Sequence, residues 1–183
     1  MKTETRTIEA RGLELRREGT KAYIDGIIPY GALSEDLGGF REKIAPSAFT
    51  RTLKAGTDIK ALWAHDEREI LGSTAAGTLK FESRAEGLRF SILAPTGAAP
   101  RLETIERGDC RGVSFGFVVE KGGEVWDGDV RTVTAARLLE VSVGVAWAAY
   151  PDAHAETARR SRPAEDPEFA RLRLMVALYG AKD

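Results

Sequence analysis

Alternation of apolar and polar residues runs through the first two-thirds of the chain and predicts strands more than helices. TIEARGLELRRE and KAYIDGIIPYGAL both follow it, with EGT as a turn between them. FREKIAPSAFTRTLKAG predicts a short strand leading into a short helix, with Pro46 in its first turn and Gly56 at its end. DIKALWAHD predicts a strand that ends in a polar cluster, and ILGSTAAGTLKFESRAEGLRFSILAP two or three strands, the last pair joined tightly at AEG. A second helix is expected over APRLETIERG, where Leu102 and Ile105 share a face and Gly108 ends it. The segment VSFGFVVEKGGEVWDGDVRTVTAARLLEVSVGVAW adds further strands, with KGG and DGD as turns. Many short strands and two internal helices predict a mainly β fold with peripheral helices (α+β), as a β-barrel or a strongly bent sheet.

The pattern changes near Tyr150 and Pro151. PDAHAETARRSRPAEDPE is rich in Ala, Pro and charge and reads as a linker, after which FARLRLMVALYG regains helical potential. The expected organisation is one domain over residues 1–155, then a linker and helical tail over 156–183.

Composition narrows the chemistry. The 183 residues include 27 basic and 28 acidic side chains, for a net charge of −1, so charge offers no attraction to nucleic acid or to a membrane surface. The polar start MKTETRTIEARG is not a signal peptide, and no apolar run is long enough to cross a bilayer. One cysteine, Cys110, excludes an intrachain disulfide framework. With that single cysteine, two histidines and no HExxH spacing, neither a metal nor another cofactor is expected.

Three residues are candidates for chemistry. Ser114 lies in the strand GVSFGF with Gly112 and Gly116 on its own face and Val113, Phe115 and Phe117 on the other. Glycine weakens a strand interior, so two around one hydroxyl suggest room for an approaching peptide backbone. No helical pattern follows Ser114, so this is not the nucleophile elbow of α/β-hydrolases. His65, in LWAHDE, ends an apolar strand where sites are often built, and a neutral imidazole takes up a proton near physiological pH. Glu140, in LLEVSVG, shares a strand face with Ser142 and Gly144, and a carboxylate within so apolar a strand calls for a partner. That partner is an arginine such as Arg111 or Arg137, or the imidazole of His65, for which Asp66 is the rival carboxylate. His154, in the polar tail, reads as solvated.

Taken together, GIIPYGAL, FREKIAPSAFTRTL, LWAHDEREILGSTAAGTLKF, EGLRFSILAP, IERGDCRGVSFGFVVE and LLEVSVGVAWAAYPDA resemble, in this order over residues 20–155, the prohead serine proteases of tailed bacteriophages. The resemblance implies a serine endopeptidase of capsid maturation, with a β-barrel like that of herpesvirus capsid-maturation proteases. It implies Ser114 as nucleophile, His65 as base and Glu140 as third member, with oxyanion donors among the N–H groups near Arg111 and Gly112. It further implies the major capsid protein and a scaffold segment as peptide substrates, action inside the procapsid in the host cytoplasm, and a tail that targets the protein or is self-cleaved. A homodimer is left open, as is a non-catalytic capsid assembly or scaffolding module that keeps the protease fold. Two positions depart from the family pattern: Cys110 stands where an apolar residue such as leucine is common, and EVSVGVAW lacks the usual proline.

Overall fold

Each alternating segment becomes a strand because one of its faces has apolar surface to bury. The computed structural model describes residues 3–9 and 13–145. Strands β1 (Glu4–Glu9), β2 (Glu14–Glu18), β3 (Lys21–Pro29) and β4 (Arg41–Ile44) precede helix α1 (Thr50–Lys54). Next come β5 (Lys60–Trp63), β6 (Asp66–Ser73), β7 (Leu79–Ser83), β8 (Gly87–Leu93) and helix α2 (Ala99–Glu106). The last strands are β9 (Gly112–Val119), β10 (Glu124–Asp127), β11 (Val130–Val133) and β12 (Ala136–Val145).

The strands assemble into three sheets, ordered β1-β9-β12-β5-β6, β2-β3-β8-β7 and β10-β11-β4. The mainly β character expected from alternation holds, with two short helices beside the sheets. The expected barrel does not close among the described residues: β1 and β6 remain the outer strands of the five-stranded sheet. TIEARGLELRRE also divides, β1 going to one sheet and β2 to another. Pro46 lies in a turn ahead of α1 rather than in its first turn. The tail expected over residues 156–183, together with His154, falls outside the described residues.

Apolar faces of the five- and four-stranded sheets share one core. Val113, Phe115 and Phe117 of β9 and Leu138, Val141 and Val143 of β12 join Ile24 and Ile28 of β3 and Leu88, Phe90 and Ile92 of β8. Phe115 and Phe117 stack with ring centroids 5.5 Å apart, and Phe49 meets both edge-on. Burying each such side chain contributes roughly 1.5–3 kcal/mol. Helix α1 is tied to β12 by Thr52, whose Oγ1 accepts from Leu138 N–H and donates to Ala136 O, both at 3.2 Å. Cys110 is buried in this core, and burial, with Asp109 adding, pushes its thiol up, so it packs there as a small apolar side chain. Among the described residues no helix is long and apolar enough to cross a membrane.

A buried charge cluster joins β1 to the three-stranded sheet. Arg131, only 1% exposed, donates to Glu4 at 2.7 Å, Glu42 at 2.8 Å and Glu124 at 2.6 Å. Arg6 donates to Glu42 at 2.8 Å and to Glu4 at 2.7 Å, and its guanidinium lies over the Phe117 ring. Burial alone would push the Glu4 carboxyl up, but hydrogen bonding and charge from Arg131, with Arg6 adding, hold it below the usual carboxylate range. Burial likewise opposes the Arg131 charge, and the surrounding carboxylates more than reverse the effect. Replacing Arg131 by Met leaves carboxylates buried with too few partners. We expect Arg131→Met to lose about 3–5 kcal/mol of stability in urea denaturation. An unchanged midpoint would mean that the cluster contributes nothing to holding the fold.

Candidate active site

Pairing between β9 and β12 decides which polar side chains meet. Antiparallel register sets Ser142 opposite Ser114, and on the other side of β9 it sets Thr7 of β1 opposite Ser114. A row of three hydroxyl residues therefore crosses β1, β9 and β12. The β12 register slips once between Leu138 and Glu140 and again between Ser142 and Val145. Such bulges re-aim side chains, and here they bracket the Glu140–Ser142 segment. The first slip keeps Leu138 and Val141 opposite the core residues Phe117 and Phe115 while Glu140 comes to face Gly116.

His65 enters from the turn between β5 and β6. Trp63 pairs with Asp66, so Ala64 and His65 alone make the connection, with φ of 50° and 62°. A two-residue type I′ hairpin turn requires positive φ at both positions and usually draws Asn and Gly. Residues with a Cβ cost roughly 1–2 kcal/mol each in that conformation. The turn is held by Ala64 N–H donating to Val143 O at 2.8 Å and His65 N–H donating to Ser142 Oγ at 3.3 Å. Strain kept at a site by its surroundings is a common mark of function.

The His65 imidazole meets Glu140, with Nδ1 and Oε1 2.9 Å apart. In the tautomer whose Nδ1–H donates to this carboxylate, the Nε2 lone pair is the proton acceptor. The other Glu140 oxygen accepts from Ser142 Oγ at 2.6 Å. The imidazole is 34% exposed and the carboxylate side chain 15%, so the base is reachable while its partner is sheltered. Asp66 takes no part: it binds Arg68, whose hydrogen bonds hold its carboxyl below the usual range. Nor does either expected arginine pair with Glu140; Arg137 is exposed, and the Arg111 guanidinium lies against Gly108.

Ser114 stands one strand away from this pair and has no solvent exposure. Its Oγ donates to the Arg6 carbonyl at 2.9 Å and accepts from Thr7 Oγ1 at 3.0 Å. Sequence reasoning thus names His65, Ser114 and Glu140; the fold joins His65 to Glu140 and ties Ser114 to β1 instead. The expected reason for the flanking glycines needs correction. A Cβ on Gly116 would stand 2.8 Å from Glu140 Oε1, and one on Gly112 would stand 2.6 Å from Val145 O. The space they leave is filled by the protein's own carboxylate and main chain, not kept for a substrate. Ser142 was legible as lying on the Glu140 face, whereas Arg6 and Thr7 carried no local signal, because only sheet pairing brings β1 to Ser114. Among the described residues no cluster of His, Cys, Asp and Glu could hold a metal ion.

Gly116→Ala should push the Glu140 carboxylate off the imidazole. The expected readout is loss of the downfield proton resonance of His65 Nδ1–H, and an unchanged resonance would show that the neighbouring strand yields instead. Ala64→Gly should relieve turn strain and raise stability by about 1 kcal/mol in a denaturant melt. A fall in stability would mean that the turn is not strained.

The chain matches the family model described as caudovirus prohead serine protease over residues 7–166. No curated protein and no solved structure matches it. The matched span includes the paired His65 and Glu140 and the buried Ser114. The chain belongs to the prohead serine protease family of tailed phages.

Proposed function

We propose that this protein is a serine endopeptidase that cleaves capsid and scaffold proteins, and its own tail, as the phage procapsid matures inside the host cell. Family membership supports the coarser role of a capsid-maturation peptidase. The observation that carries the residue-level reading is the 2.9 Å contact of His65 Nδ1 with Glu140, which leaves Nε2 free to act as a base on the same sheet as Ser114.

In this mechanism His65 Nε2 takes the Ser114 proton as Oγ attacks a scissile peptide carbonyl, forming the C–O bond of a tetrahedral intermediate. Collapse breaks the C–N bond, and the imidazolium returns the proton to the leaving amine. Water then enters by the same proton route: His65 takes its proton as it attacks the ester, and returns it to Ser114 Oγ as the acid product departs. Glu140 holds the Nδ1 tautomer and stabilises the imidazolium as it forms, and Ser142 holds the second carboxylate oxygen. Before attack, the Ser114 hydroxyl must turn from the Arg6 carbonyl to the imidazole.

Complete burial of Ser114 favours a second reading, a non-catalytic assembly module that keeps the protease fold. Purified protein and its Ser114→Ala variant, each incubated with the major capsid protein, separate the two. We expect capsid cleavage and loss of a C-terminal fragment by mass spectrometry in the unaltered protein alone. Equal cleavage by both proteins, or none by either in a maturing procapsid, would overturn the peptidase reading.

A further inference from the structure

The serine that this reaction requires is sealed by the protein's own main chain. Ser114 Oγ donates to a peptide carbonyl, that of Arg6, and the residue beside that carbonyl, Thr7, donates to Ser114 Oγ. Both lie on β1, an extended segment antiparallel to β9 and on the outside of its sheet. Extended peptides bind by adding to a sheet edge, where main-chain hydrogen bonds give affinity and alternate side chains enter pockets. With β1 lifted away, β9 would present such an edge, with Ser114 upon it. A peptidase substrate there must offer a carbonyl to Ser114, and β1 supplies one already.

We propose that β1 occupies the position of a substrate strand beside β9 and holds the enzyme latent until an extended peptide displaces it. This rests on the peptidase reading above. In the sealed state the Ser114 proton goes to a carbonyl oxygen, not to a base, and no substrate carbonyl, the acyl donor, can reach Oγ. Two features suit β1 to leave. As an outer strand it has, among the described residues, a sheet partner on one side only, so its departure leaves β9, β12 and β5 paired, with Ser114, Glu140 and His65 in place. Its buried charges are of opposite sign and paired at 2.7 Å, so β1 leaves as a neutral unit once Arg6 separates from Glu42 and Glu4 from Arg131. Arg131 then keeps Glu42 at 2.8 Å and Glu124 at 2.6 Å, so no buried cation loses all its partners. The cluster therefore anchors β1 without making the rest of the sheet depend on it.

The test is the rate at which a fluorophosphonate probe labels Ser114 in the full-length protein. Arg6→Ala weakens the anchor by removing its bonds to Glu42 and Glu4, while Glu4 keeps Arg131, and it leaves every proposed catalytic side chain in place. We expect it to be labelled about tenfold faster than the unaltered protein, because a weaker anchor raises the open population. An excess of the free peptide TETRTIE, β1 with Thr3 ahead of it, should slow labelling of Arg6→Ala by refilling the position. Thr7→Val preserves shape, removes the hydroxyl donated to Ser114, and should also be labelled faster; it decides the matter if Arg6→Ala does not fold. Equal or slower labelling of the folded variants, or no effect of the peptide, would overturn the latch while leaving the peptidase reading intact. If Ser114 is labelled in none of the proteins, the peptidase reading fails and the latch with it.

Discussion

Everything at the candidate site depends on how β12 lies against β9. In a regular antiparallel ladder, every second residue of β12 from Leu138 would face the core, and Glu140 would share that face. The slip after Leu138 inserts one residue and reverses the phase, so Leu138 and Val141 both reach the core while Glu140 and Ser142 reach the face of Ser114. Gly116 completes the arrangement, since a side chain there would occupy the place of the Glu140 carboxylate. A one-residue irregularity in one strand thereby lets an apolar run carry a sheltered, partly buried acid.

Strand β1 answers to two demands, one on each face. Arg6 and Glu4 turn inward to the charge cluster around Arg131, and Thr7 turns toward Ser114. Charges so deeply buried persist only when hydrogen-bonded to one another, so the position of β1 is defined by a few specific partners more than by apolar area. Definite geometry at Ser114 follows, because the strand cannot slide in register without separating its ion pairs. The same restriction gives the strand a defined release point, which bulk hydrophobic burial would not supply.

Alternation along the chain was sufficient to predict the strands of LRFSIL, VSFGFVV and LLEVSV, since each buries a continuous face and its period survives in any mainly β fold. His65 was also legible as the polar end of an apolar strand, and Ser114 and Glu140 as polar residues within apolar strands. Other features were invisible locally. The positive φ values of Ala64 and His65 could not be read from Ala-His, a pair that no turn preference selects, because tertiary hydrogen bonds impose them. The glycines beside Ser114 were readable as missing side chains, but not as space for Glu140 and Val145.

What the sequence by itself determined is the class of the fold and the identity of the polar groups set into its strands, because periodicity and residue chemistry are local properties. Tertiary structure alone decided which of those groups touch. It joined His65 to Glu140 in preference to Asp66, and it laid the Arg6 carbonyl on Ser114, 108 residues away along the chain. Pairing between distant strands is governed by burial and by matching of charges across the whole core, and no short stretch of sequence encodes that sum.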